Sequence, residues 1–130
     1  MPAEHTVSEI RQIALAVSDI GNVLPFYRDI LGLKFLFSPS PNLAFLEAGG
    51  VRLMLTTPQG VGAVGHNSIL YFNVKNIEAA HAAMLGRGAM NERGPQITAR
   101  MPDHEVWTAF FRDPDGNIVA LMEEKPTARQ

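Results

Sequence analysis

The residues able to do acid–base or metal chemistry are few and scattered in this chain. There are four histidines and no cysteine. Without cysteine there are no disulfides, no thiolate metal ligands and no cysteine nucleophile. His5 stands in a polar segment and His81 inside a helical pattern, where a solvated or partly buried imidazole is the simplest reading. His66 lies in a glycine-rich stretch, and His104 precedes Glu105 in "PDHEVW". With Gln12, these could make an irregular cation site, although no pair has the i, i+4 spacing of strong metal motifs. Asp113 and Asp115 form a carboxylate pair, but Asp-Pro-Asp-Gly is turn chemistry, with Gly116 taking the special backbone angle. No serine stands in a Gly-x-Ser-x-Gly elbow. "GVGAVG" (60–65) has no strand leading into it and no clear helix after it, as a phosphate-cradling loop needs.

The elements that must position these residues follow from periodicity. "IRQIALAV" (10–17) alternates, with Ile13, Leu15 and Val17 on one face and Gln12, Ala14 and Ala16 on the other, which predicts a strand. Ser18 or Asp19 can cap the next helix, in which Ile20, Val23, Leu24, Tyr27, Ile30 and Leu31 recur at helical spacing. Gly32 is placed to end it, and Pro25 predicts a loose or kinked first turn. Three short strands follow at 33–37, 42–48 and 51–57, the last two joined by a Gly49-Gly50 hairpin. The stretch 57–67 lacks period and reads as a linker. The order then restarts. "SILYFNV" (68–74) alternates, Asn76 can cap a helix closed by Gly86, 89–99 reads as a broken strand, and strands at 105–111 and 117–123 flank the Asp113–Gly116 turn.

The chain therefore reads as an internal duplication. "LAVSDI" (15–20) matches "FNVKNI" (72–77) in pattern. Aligning Gly50 with Gly116 sets Phe45 on Phe111, Leu53 on Val119, Met54 on Ala120 and Leu55 on Leu121. The predicted class is α+β: two tandem βαβββ modules, 8–58 and 68–124, joined by a 59–67 linker. Their mixed sheets join into a curved, partly closed surface with helices outside and a cleft inside. A doubly wound parallel sheet fits less well, because hairpins rather than crossovers follow each helix.

The bulk composition narrows the function classes. The chain has 130 residues, 46% hydrophobic and 18% charged, an ordinary globular balance for one compact domain or two small fused modules. A net charge of −2 gives no footprint for nucleic acid or an anionic membrane. No apolar run approaches the roughly 18 residues of a spanning helix, and the first ten residues lack a secretory pattern. A soluble cytoplasmic protein is the expectation.

"IRQIALAVSDI", "PFYRDILGL" and "FFRDPDGNIVALMEE" resemble the vicinal oxygen chelate superfamily over about residues 8–124. That group includes glyoxalase I, methylmalonyl-CoA epimerase, extradiol dioxygenases, fosfomycin-resistance enzymes and bleomycin-binding proteins, and it hosts many chemistries. The resemblance implies, for metal-dependent members, a divalent ion held by four side chains, usually His, Gln or Glu, from the first and last strand of each module. Those positions here are Gln12, Met54, Ile69 and Ala120. Gln is a ligand type the family uses. Met, Ile and Ala cannot hold a hard divalent ion, and Ala120 stands where the enzymes commonly carry a glutamate base. No metal and no cofactor are expected at these positions.

What remains is the inward face. Alternation points Gln12, Ala14, Ala16, Arg52, Met54 and Thr56 inward from the first module, and Tyr71, Asn73, Ala120 and Met122 from the second. Trp107 and Phe111 share a face of their strand, which is expected to look into the cleft. Gln12, Arg52, Met54, Tyr71, Trp107, Phe111 and Ala120 are thus the candidate ligand-binding set. An apolar and aromatic wall with a few polar anchors suits a small-molecule pocket; the same residues at strand spacing also suit a filled core. Trp107 could stack on a planar ligand and Arg52 could pair with an anionic group. The first reading is a metal-independent binding protein of the bleomycin-resistance type that sequesters a small organic ligand. The alternative is a glyoxalase-like lyase, isomerase or dioxygenase using displaced ligands such as His66, His104 and Glu105 around Gln12. A homodimer is expected under either, with the modules pairing within one chain or swapping between two.

Overall fold

The computed structural model describes residues 9–58, 64–65 and 67–127. Strand β1 (Gln12–Ala16) leads into helix α1 (Ile20–Pro25), and β2 (Lys34–Ser40), β3 (Leu43–Ala48) and β4 (Val51–Thr56) complete the first repeat. Strand β5 (Leu70–Asn73), helix α2 (Ile77–Gly86), β6 (Met90–Arg100), β7 (His104–Arg112) and β8 (Ile118–Pro126) form the second. The two four-stranded sheets have the same order, β1-β4-β3-β2 and β5-β8-β7-β6. In each, first and last strands run parallel and the other pairs antiparallel. The class is α+β, two βαβββ units in tandem. Among the described residues no ladder joins the two sheets, so the curved surface they form is only partly closed.

Local chemistry explains the elements and corrects several expectations. Asp19, not Ser18, caps α1: its Oδ2 accepts the Asn22 N–H at 2.9 Å, while Ser18 is engaged elsewhere. The irregularity expected at Pro25 takes a definite form. A π-helical stretch, Phe26–Ile30, continues directly from the proline, and the Leu31 N–H reaches back five residues to the Phe26 carbonyl at 2.8 Å. Gly32 then takes φ +90°. Gly49 and Gly50 both have positive φ, as a two-residue hairpin between β3 and β4 requires.

Asn76 caps α2 by accepting the Ala79 N–H. Gly86 is its last helical residue, and the left-handed position falls on Gly88 (φ +95°) instead. The segment expected to be a broken strand is one continuous strand, β6. Register shifts between Asn91 and Arg93, Arg93 and Gln96, and Ile97 and Ala99 absorb Gly94 and Pro95. An edge strand tolerates this because a proline facing outward costs no ladder bond.

The helix-covered faces of both sheets contribute to one core. Leu15, Leu53 and Leu55 from the first sheet cluster with Ala109, Phe111, Val119 and Leu121 from the second, and with Val23, Tyr27, Ile77 and Met84 from the helical segments. Each Val, Leu, Ile, Phe or Met side chain among them contributes about 1.5–3 kcal/mol on full burial. Polar ties cross between the repeats as well. The Asn67 side chain accepts from the Ala16 N–H at 3.1 Å, donates to the Ala16 carbonyl at 3.0 Å and donates to Asn117 Oδ1 at 3.0 Å. It thereby caps the end of β1 as a strand neighbour would. Ser18 donates through its N–H and hydroxyl to the Asp115 carboxylate. No helix among the described residues is long and apolar enough to cross a membrane.

Candidate functional site

On the uncovered face of the first sheet, β1 and β4 run in parallel register, Gln12 beside Arg52 and Ala14 beside Met54. Arg52 Nε donates to Gln12 Oε1 at 2.8 Å, and Gln12 Nε2 lies 3.9 Å from Met54 Sδ. The Arg52 guanidinium sits over the Phe45 ring at 5.3 Å, and Phe45 stacks on Phe37 at 4.9 Å. Phe37 is 49% exposed, so this aromatic pair is an open platform rather than core. The sequence reading missed both phenylalanines; the register of Phe45 against Met54 was the available signal.

The uncovered face of the second sheet has a parallel construction. Tyr71 lies beside Ala120, and Ala120 beside Phe110. Tyr71 meets Phe110 edge-on at 6.1 Å and is 51% exposed. Arg93, from β6, places its guanidinium 4.6 Å from the Phe110 ring centroid. Its Nη2 donates to the Thr108 carbonyl and hydroxyl, both at 2.5 Å. Ala120 is fully buried at the foot of this group. Its small side chain answers to the rings beside it, where the first repeat has Met54.

Trp107 and Phe111 do not join that face. Phe111 pairs with Val119 and Ala109 with Leu121, so alternation turns Phe111 and Trp107 to the α2 side, opposite Ala120. Phe111 is fully buried and stacks on His81 at 5.0 Å. Trp107 is half-buried, with Lys125 over its ring at 4.3 Å and its indole N–H donated to Glu105 at 3.1 Å. Their expected inward orientation is thus corrected: Thr108 and Phe110, which alternate with them along β7, share the face of Ala120 instead.

The four positions at which the resemblance places a metal are structurally equivalent in pairs. Gln12 and Met54 stand in the same offset across β1 and β4 as Ile69 and Ala120 across β5 and β8. The donor set is one amide and one thioether, with two hydrocarbon side chains. It does not fit a divalent ion, because nothing in it carries charge to offset dehydration of the cation. The displaced set is not assembled among the described residues. His66 lies outside them. His104 Nδ1 is 2.7 Å from Asp103, whose carboxyl is held below its usual pKa chiefly by that hydrogen bond. Glu105 is engaged by Arg100 at 2.8 Å and by Trp107. Among the described residues no three His, Asp or Glu side chains converge on a point that could hold an ion.

The carboxylates of the Asp-Pro-Asp-Gly turn do more than make the turn. Asp113 is buried and accepts four hydrogen bonds, from the Tyr27 hydroxyl at 2.6 Å, the Asp115 and Asn117 N–H groups, and the Asn117 amide. Burial, and then the Asp113 charge, push the Tyr27 phenol far above its ordinary pKa. This constellation fastens the π-helical turn of one repeat to the β7–β8 turn of the other. It is a structural clasp between the two repeats. A cavity of about 460 Å³ lies at the seam of the repeats, lined by Ile13, Leu33, Val51, Leu53, Leu70 and Phe72 among others.

Residues 9–121 match the model of the Glyoxalase/Bleomycin resistance protein/Dioxygenase superfamily. The chain belongs to that superfamily. An uncharacterized protein of Bacillus subtilis (strain 168), YqjC, is 28% identical over 135 residues, covering 92% of this chain and 94% of the relative. Among solved structures, TnmS3, an antibiotic binding protein from Streptomyces sp. CB03234, superposes with a TM-score of 0.78 at 20% identity, covering 94% of this chain and all of that one. Lactoylglutathione lyase from Agrobacterium tumefaciens superposes with a TM-score of 0.74 at 25% identity, covering 90% and 94%. The superfamily fold thus carries both a binding protein and a lyase, and the chemistry of this member must be argued from its own residues.

Proposed function

We propose that this superfamily member is a metal-independent, cytoplasmic binding protein that sequesters a small organic molecule. Residues 8–58 and 68–124 would be its two modules. The observation that carries the reading is the donor set Gln12, Met54, Ile69 and Ala120, which leaves the family's metal positions without charge or imidazole. In place of ligands, each inner face presents aromatic rings: Phe37 and Phe45 on one, Tyr71 and Phe110 on the other. Such walls, with few polar anchors, favour an organic guest over an ion.

The cleft in this reading is completed by a second copy of the chain. Gln12, Arg52, Phe37 and Tyr71 are exposed in the single chain, and among the described residues β1 and β5 each have one edge with no strand beside it, near the apolar seam lined by Ile13, Leu53, Leu70 and Phe72. Seating a partner on that seam would cover the apolar side chains and bring the inner face of one copy opposite the other kind of face in its partner. The likeness to an antibiotic binding protein supports the fold for this role.

The test is elemental analysis of protein purified without chelator, paired with ligand screening by thermal shift. The expected result is less than about one tenth of an equivalent of Ni, Zn, Fe or Mn per chain, as a donor-poor site implies, and stabilisation by organic ligands that EDTA leaves unchanged. One equivalent of any of these metals would overturn the reading in favour of a catalyst.

A further inference from the structure

Three described arginines lie outside any ion pair; Arg87 donates to the Ile30 carbonyl, while Arg52 and Arg93 stand on the two inner faces and are built alike. Arg11, Arg28, Arg100 and Arg112 each lie within 3.2 Å of a carboxylate. Arg52 and Arg93 have no carboxylate within ion-pair reach among the described residues, and each is held by neutral acceptors instead. Arg52 is fixed by the Gln12 amide oxygen, and Arg93 by the Thr108 carbonyl and hydroxyl and the Gly94 carbonyl. Glu47 is the cross-strand neighbour of Arg52, yet it makes no ion pair with it. Each guanidinium also lies over a phenylalanine, Phe45 or Phe110, and each phenylalanine has a second, partly exposed aromatic neighbour, Phe37 or Tyr71.

A guanidinium held by neutral groups keeps its whole charge for an incoming partner. Stacking on a ring orients it and spares it part of its hydration, and the fork of N–H donors matches a planar oxyanion. The neighbouring exposed rings offer the same partner an apolar surface. We infer that the cleft binds a planar aromatic anion, its ring system against Phe37 and Tyr71 and its carboxylate or equivalent oxyanion on Arg52 and Arg93. This rests on the proposed function only in taking the two inner faces as the walls of one cleft. It assigns Arg93, Phe37 and Phe110 to the binding site.

The test compares 2-naphthoate with its neutral isostere 2-naphthamide, titrated calorimetrically into the full chain at low ionic strength. Naphthoate should bind about tenfold or more tightly than the amide, as one charge-assisted bidentate contact supplies. Arg52→Met and Arg93→Met should each weaken the acid about tenfold while leaving the amide within about twofold. Arg52→Lys and Arg93→Lys, which keep the charge and lose the fork, should fall between. Equal affinity for acid and amide would overturn the anion claim and leave a neutral-ligand cleft standing. Binding indifferent to all four variants would place the ligand elsewhere, overturning both the inference and the inner-face cleft. No binding of either probe would overturn the proposed ligand class. Circular dichroism and a melting curve on each variant keep loss of fold separate from loss of binding.

Discussion

Single side chains decide how the two repeats of this protein are held together. The clasp between Tyr27 and Asp113 is the clearest case, because a buried carboxylate that loses a donor keeps its desolvation cost. Tyr27→Phe should lower unfolding free energy by about 1.5–3 kcal/mol, the usual range for a hydrogen bond to a charged group, read from urea denaturation. The same contact predicts a pH effect. The Tyr27 pKa is raised in the folded chain, so its contribution is fully present below the unfolded value near 10 and is lost as pH climbs from there towards the folded value. Above about pH 10, wild-type stability should fall by about 1.4 kcal/mol per pH unit more steeply than that of Tyr27→Phe. Parallel slopes would show that Tyr27 ionises in the fold as readily as in the unfolded chain. The role of Asp113 in this clasp was hidden in the sequence, since Asp-Pro-Asp-Gly explains itself as a turn and the partner lies 86 residues away. The faces were only half legible too. Alternation states that Trp107 and Phe111 share a face, but not which one; α2 settles it by covering Phe111 with His81.

At the scale of elements, the repeat was legible because its signals are local: alternation, capping residues and paired glycines. Asn76 shows how firmly such signals act. Its side chain satisfies the Ala79 N–H at 3.0 Å, and Asn76→Ala should cost about 1 kcal/mol, measurable as a lowered urea midpoint at unchanged slope. No change in midpoint would mean that packing of Ile77 and Met84 alone holds the helix in place. Strand β6 marks the limit of local reading. Gly94 and Pro95 argue against a strand in isolation, yet pairing with β7 carries the chain through them by shifting register. The end of α2 slips in the same way, from Gly86 to Gly88, because either glycine could close the helix and only the backbone path to β6 chooses.

At the scale of the whole molecule, two sheets share a core on their helix sides and leave aromatic faces uncovered. The duplication predicted this symmetry, and the register carries it down to the Gln12–Met54 and Ile69–Ala120 offsets. What the sequence could not give is the partner of each uncovered face, which depends on contacts between distant segments. Sedimentation equilibrium at micromolar concentration should return twice the 14.2 kDa chain mass; a monomer would detach the proposed cleft from a second copy. The proposed cleft is expected to lack the donors that capture a divalent cation. Calorimetric titration of chelator-treated protein with Mn²⁺ and Ni²⁺ tests it most directly. No saturable site of one ion per chain is expected. A stoichiometric site that disappears in Gln12→Ala would contradict it.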